Sequence, residues 1–174
     1  MSKRLHLLRH AKSSWDDASL PDHERPLNRR GVEACALVAA DIERAGIAPG
    51  LVLCSTAVRT RETLELIEHG LGGEPVVRFE RCVYEASAGQ LIELIADCGA
   101  REDSVLVIGH NPAIGSLAVA LTGSGSEDEC AQMRAKFPTG ARASLGFDCE
   151  WDRLGAGAAR LEAFVRPRHL RGPG

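Results

Sequence analysis

Two histidines and two arginines stand where apolar runs of this chain stop. Arg9 and His10 directly follow the run at residues 5–8. Ser55, Thr56 and Arg59 follow residues 51–54, and Gly109, His110 and Asn111 follow residues 105–108. Glu85 comes just after Val83 and Tyr84. A phosphoryl group suits such a set. Guanidinium groups meet its anionic oxygens with paired hydrogen bonds and never lose their charge. A neutral imidazole can attack phosphorus and carry the phosphoryl group covalently. A second imidazole can donate a hydrogen bond to the transferring oxygens, and a carboxylic acid can protonate the leaving group. Each residue alone is unspecific, since a lone histidine is mostly structural and a lone Arg59 reads as helix surface. Their joint placement after different strands carries the reading.

That placement rests on the elements between them. Residues 5–8, 51–54 and 76–79 read as strands, and the third could resume at residues 82–84. Residues 105–108 are apolar at consecutive positions, as in a parallel strand covered on both faces. Val32, Cys35, Ala36, Ala39 and Ile42 recur at helical spacing, which predicts a helix over residues 29–45 with Asn28 as its N-cap. Leu64, Ile67 and Leu71 mark a second helix over residues 57–71. Leu91, Leu94, Ile95 and Cys98 mark a third. A fourth is predicted at residues 112–121, with Asn111 as its N-cap and Pro112 in its first turn. Residues 143–149 and 159–165 read as an antiparallel hairpin at a sheet edge. Alternation of strand and helix predicts an α/β fold: a three-layer α/β/α sandwich, mainly parallel, with a C-terminal antiparallel hairpin. No repeat or linker divides the chain, so residues 1–174 are expected to form one domain. Two polar segments resist assignment, residues 13–27 and residues 123–140. A short helix at residues 127–136 is expected within the second. Long segments of this kind often serve as lids or binding loops.

In such a sheet, ligands bind beyond the carboxyl ends of the strands, where all the candidate residues fall. The rest of the composition excludes other classes. The chain has 174 residues and a formal net charge of −3, with no concentrated basic run, so nucleic acid is not an expected partner. No apolar stretch approaches 18 residues, and the N-terminus has no signal-peptide pattern, so neither a membrane nor export is expected. The six cysteines show no zinc-like spacing. They read as small core residues in a reducing compartment, and the cytoplasm is the expected location. His6 reads as packed or solvent-facing, while His23, His69 and His169 read as solvated.

The residues also resemble a known family. Arg9-His10 after the first strand looks like the Arg-His-Gly signature of the histidine phosphatase superfamily, with Ala11 at the third position. CSTAVRTRET resembles its second signature and maps the pocket arginine onto Arg59. GHNP maps the second catalytic histidine onto His110. RPLNRRG, VYEAS and KFPTGA look like the compact SixA-like branch of phosphohistidine phosphatases. The resemblance runs from Leu5 to about Leu170. It implies a two-step phosphoryl transfer with no metal and no cofactor. His10 would be the nucleophile. Arg9, Arg59 and His110 would hold the phosphoryl oxygens, with Ser13 adding a hydrogen bond. Glu85 is the candidate proton donor, ahead of Asp16 and Asp17. The cations flanking His10 favour its neutral, attacking form.

The implied partner is a phosphorylated protein or a small phosphorylated metabolite. The leading expectation is removal of phosphate from phosphohistidine on a protein. A phosphatase of a small ester, such as a sugar phosphate or nucleotide, is the alternative. A non-catalytic phosphate-binding module is the reading from another class.

Overall fold

Val105, Leu106, Val107 and Ile108 have no exposed surface, and their position explains it. They belong to β4 (Ser104–Gly109), which lies between β2 (Leu51–Ser55) and β1 (Lys3–Arg9) in the middle of a seven-stranded sheet. This arrangement comes from a computed structural model, which describes residues 2–171. The other strands are β3 (Val76–Glu80), β5 (Thr122–Gly125), β6 (Arg142–Phe147) and β7 (Ala159–Val165). Their order across the sheet is β3-β2-β4-β1-β6-β7-β5. β3, β2, β4 and β1 are mutually parallel where they pair. β6 runs antiparallel to both β1 and β7, and β5 pairs parallel with β7.

The strand period of two divides the core between the two faces. Leu106 and Ile108 join Leu8, Cys35, Val38, Ile42, Leu64 and Ile67 under α1 (Arg29–Arg44) and α2 (Val58–Ile67). Val105 and Val107 join Leu5, Leu7, Leu91, Ile95, Ile114 and Leu117 under α4 (Ala88–Gly99) and α5 (Ala113–Leu121). The fold is therefore the expected three-layer α/β/α sandwich.

Local signals behave as their chemistry dictates. Asn28 caps α1, its side-chain oxygen accepting from the Gly31 N–H at 2.9 Å. Pro112, not Asn111, occupies the cap position of α5. Asn111 still serves that helix, because its Oδ1 accepts from the Gly115 N–H at 3.1 Å.

Several expectations change. The strand predicted to resume at residues 82–84 is a short helix, α3 (Arg81–Glu85). The β6–β7 hairpin forms, but β5 pairs with β7 and takes the edge position. β5 and α6 (Glu127–Ala135) account for most of residues 123–140. Val32 lies on the outer face of α1 and is 46% exposed. Cys35, Cys54 and Cys130 are core residues, whereas Cys82 is exposed and Cys98 and Cys149 are half-buried; all six are free. Among the described residues, no helix is long and apolar enough to cross a membrane.

Candidate active site

The carboxyl ends of β1 and β4 hold the two imidazoles together. The His10 N–H donates to the Gly109 carbonyl at 3.0 Å, which extends the β1–β4 ladder by one step. The two rings then lie with centroids 5.1 Å apart. His10 Nδ1 lies 2.6 Å from the Ala11 carbonyl. A carbonyl only accepts, so Nδ1 carries the proton and Nε2 keeps its lone pair. Burial pushes the His10 pKa down to about 4. The Ala11 hydrogen bond opposes that, and the charges of Arg59, Arg9 and Arg25 add to it.

His110 takes the opposite tautomer. Arg59 Nη2 donates weakly to its Nδ1 at 3.4 Å, so Nε2–H donates to Ser55 Oγ at 2.7 Å. Burial, and then the neighbouring His10 and Arg59, lower its pKa to about 3. Both imidazoles are therefore neutral at pH 7.

The turn at residues 136–141 clamps the start of the site. Arg9 Nη1 donates to the Phe137 carbonyl at 3.0 Å, and Asn111 Nδ2 donates to the same oxygen at 2.9 Å. Gly140 has φ +75°, a left-handed conformation suited to glycine, and its N–H reaches the carbonyls of Arg9 and His10.

Arg59 enters from the first turns of α2 and is 5% exposed. Its Nε lies 3.4 Å from His10 Nε2. Its other edge grips Asp22: Nη1 donates to the backbone carbonyl at 2.6 Å and Nη2 to Oδ2 at 2.9 Å. Tyr84 OH donates to the same Oδ2 at 2.7 Å. Arg25 holds the other carboxylate oxygen through Nε and Nη2 at 3.1 and 2.9 Å. Burial pushes the Asp22 carboxyl upward, but the hydrogen bonds from Tyr84, Arg59 and Arg25 outweigh it. They hold the group well below the ordinary carboxylate range.

These residues enclose a cleft of about 520 Å³. Arg9, Lys12, Arg25, Arg59 and Lys136 line it, with Asp22 as the one carboxylate among the lining residues. The structure brings Arg9, His10, Ser13, Arg59 and His110 together there. Ser13 is 7% exposed, and its Oγ accepts from Arg25 Nη1 at 3.0 Å, which leaves its own hydrogen to donate.

Glu85 is not brought in. It is exposed at the end of α3 and lines no part of the cleft; its helical neighbour Tyr84 reaches Asp22 instead. Asp16 and Asp17 are also exposed, and neither lines the cleft. His23, expected to be solvated, is half-buried with Nε2 2.9 Å from Thr56 Oγ1. Sequence reasoning missed Asp22, Arg25 and Tyr84 as site residues. The available signal was the Asp–Arg pair three residues apart, just ahead of the Asn28 cap.

An α/β sheet ending in two neutral imidazoles among fixed cations is suited to phosphoryl transfer. Comparison with known proteins gives the family. Residues 5–94 match the model of the histidine phosphatase superfamily (branch 1). An uncharacterised protein of Mycobacterium leprae is 38% identical over 165 residues, covering 92% of this chain and 100% of its own. Two solved structures assigned as phosphohistidine phosphatase SixA are similar throughout. The one from Nakamurella multipartitia has a TM-score of 0.83 at 27% identity, covering 96% of this chain and 97% of its own. The one from Agrobacterium tumefaciens has a TM-score of 0.80 at 30% identity, covering 95% and 98%. The chain belongs to the histidine phosphatase superfamily, in its SixA-like branch, and is a phosphatase.

Proposed function

We propose that this enzyme removes phosphate from phosphohistidine on a protein, through a phosphohistidine intermediate of its own on His10. His10 Nε2 attacks phosphorus in line while the bond from phosphorus to the substrate nitrogen breaks. Arg9 and Arg59 hold the phosphoryl oxygens, and Ser13 donates a further hydrogen bond. An arriving dianion favours imidazolium, so His110 gains a proton on Nδ1 and, keeping it, donates a hydrogen bond to a phosphoryl oxygen, which leaves that proton engaged and not offered to the leaving group. Water then attacks phosphorus, releasing inorganic phosphate and restoring neutral His10. No step calls on a metal.

One observation carries the choice of substrate. The single carboxylate lining the cleft, Asp22, is paired with two arginines and held ionised, so it has no proton to give. A phosphate ester leaves as an alkoxide unless an acid protonates it. Phosphohistidine needs no such acid, because its free ring nitrogen takes a proton from solvent beforehand and the ring leaves as neutral imidazole.

The test is kcat/KM in the presence of chelator for free phosphohistidine, a phosphohistidine-bearing protein, a sugar phosphate and a nucleotide. Phosphohistidine substrates should exceed the esters by about 100-fold or more, the usual worth of a general acid that an ester would lack here. A preference for an ester sinks the reading. His10→Ala should abolish turnover together with the acid-labile covalent intermediate.

A further inference from the structure

Trp15 is 75% exposed, while the other tryptophan, Trp151, is 2% exposed in the core. An indole left in water forfeits the burial that normally stabilises it, and exposed tryptophans concentrate where a ligand or partner completes the contact. Trp15 is also held in place. The Arg25 guanidinium carbon lies 3.5 Å from the indole centroid, covering one face. Arg25 itself is 7% exposed and fixed by Asp22, Ser13 and the Ser14 carbonyl. The indole is therefore a flat surface with a rigid cationic backing, and it lines the same cleft as His10 and Arg59.

We infer that Trp15, backed by Arg25, is the platform on which the flat ring bearing the substrate's phosphoryl group stacks. This rests on the phosphatase reading of the cleft and deepens it by naming the ligand class: a phosphoryl group on a planar ring, which includes the imidazole of phosphohistidine. Trp15 and Arg59 line one cleft, so a planar group on a phosphate held at Arg59 shares that cleft with the indole. An aliphatic group presents no face to stack. The nearby loop already couples the two functions, because Arg25 joins Asp22, which holds Arg59, to the indole.

Phenylphosphonate and methylphosphonate test this without turnover, since neither has a hydrolysable bond to phosphorus. Titration calorimetry on the intact chain should show phenylphosphonate binding about tenfold tighter, the upper range for one aromatic pair. Trp15→Ala should bring the ratio close to one, and Trp15→Phe should restore most of it. Equal affinities in the wild type overturn the platform, as does a ratio that survives in Trp15→Ala. The kinetic counterpart is the ratio of kcat/KM for phosphoimidazole over phosphoramidate, which carries the same phosphorus–nitrogen bond without a ring. It should fall about tenfold in Trp15→Ala, mostly through KM. Trp15-dependent phosphonate selectivity in an enzyme that does not cleave phosphohistidine upholds the platform and overturns only the phosphohistidine reading.

Discussion

Asp22 and Arg59 are joined along one edge of the guanidinium, by the backbone carbonyl at 2.6 Å and the carboxylate at 2.9 Å. The grip sets which edge remains for other partners. Arg59 Nε faces His10 Nε2 and Nη2 also approaches His110 Nδ1, both at 3.4 Å. Those distances are long for strong hydrogen bonds, so the edge that meets the imidazoles stays available to phosphoryl oxygens. With Arg59 holding the phosphoryl group as proposed, Asp22 would act on the chemistry through Arg59, as a positioning residue.

Asp22→Ala should lower kcat/KM by about 10- to 100-fold, the loss of a hydrogen bond between charged groups. Asp22→Asn keeps an acceptor for Arg59 and should recover part of that loss. Thermal unfolding separates this from simple misfolding, since a variant with an unchanged midpoint and reduced kcat/KM fits positioning. Full activity in Asp22→Ala with a stable fold would remove Asp22 from that role.

Glu85→Gln should leave kcat/KM within about twofold for phosphohistidine and phosphate esters alike, in line with ordinary surface substitutions. The side chain is exposed and lines no part of the cleft. A loss confined to esters would instead identify Glu85 as an acid that reaches the cleft when substrate is bound.

What could be read from the chain follows a physical division. Residues 105–108 are unmistakable because a strand covered on both faces must be apolar at every position. Arg9, His10, Arg59 and His110 are recognisable because Arg9 ends β1 with His10 next, Arg59 comes soon after β2 and His110 follows β4, so all converge where the strands end. Asp22 is different: its partners Arg59 and Tyr84 lie 37 and 62 residues away, and no local pattern encodes such a meeting. β5, with the sequence TGSG, has no apolar period to reveal it, since the strand exists only through pairing with β7. α3 has no helical signature in the sequence, because Cys82, Val83 and Tyr84 favour a strand locally and only Val83 is buried.

Gly31→Ala should cost about 1–3 kcal/mol, as over-packing does. An added Cβ would lie 2.2 Å from the Lys12 carbonyl oxygen, and that obstacle is backbone rather than a pliable side chain. The same carbonyl accepts from the Asn28 N–H at 2.9 Å, so α1 is seated directly on the loop that follows His10. Activity should fall along with stability, because movement of Lys12 displaces Ala11, whose carbonyl fixes the His10 tautomer. Urea unfolding and kcat/KM on one preparation check both effects. A variant as stable as the parent would show that the loop yields without penalty.

Acid should destabilise the fold before the carboxylates titrate. His6, His10 and His110 are all buried, and burial is the first cause lowering each from 6.5, to about 3, about 4 and about 3. Unfolding frees each imidazole to bind a proton near its ordinary value. Between pH 6.5 and about 4 the unfolded chain therefore holds more protons than the native one, and stability rises with pH across that window. The contribution is fully present above pH 6.5 and is lost as pH falls through it. Each imidazole adds up to about 1.4 kcal/mol per pH unit while the difference lasts. Urea midpoints at pH 7.0, 6.0 and 5.0, conditions set by this window, should fall steadily. NMR titration of the His10 Cε1–H in the folded enzyme should show no midpoint near 6.5 and a midpoint about 4. Constant urea midpoints over that range, or a His10 midpoint near 6.5, would mean that these imidazoles are not held neutral by burial.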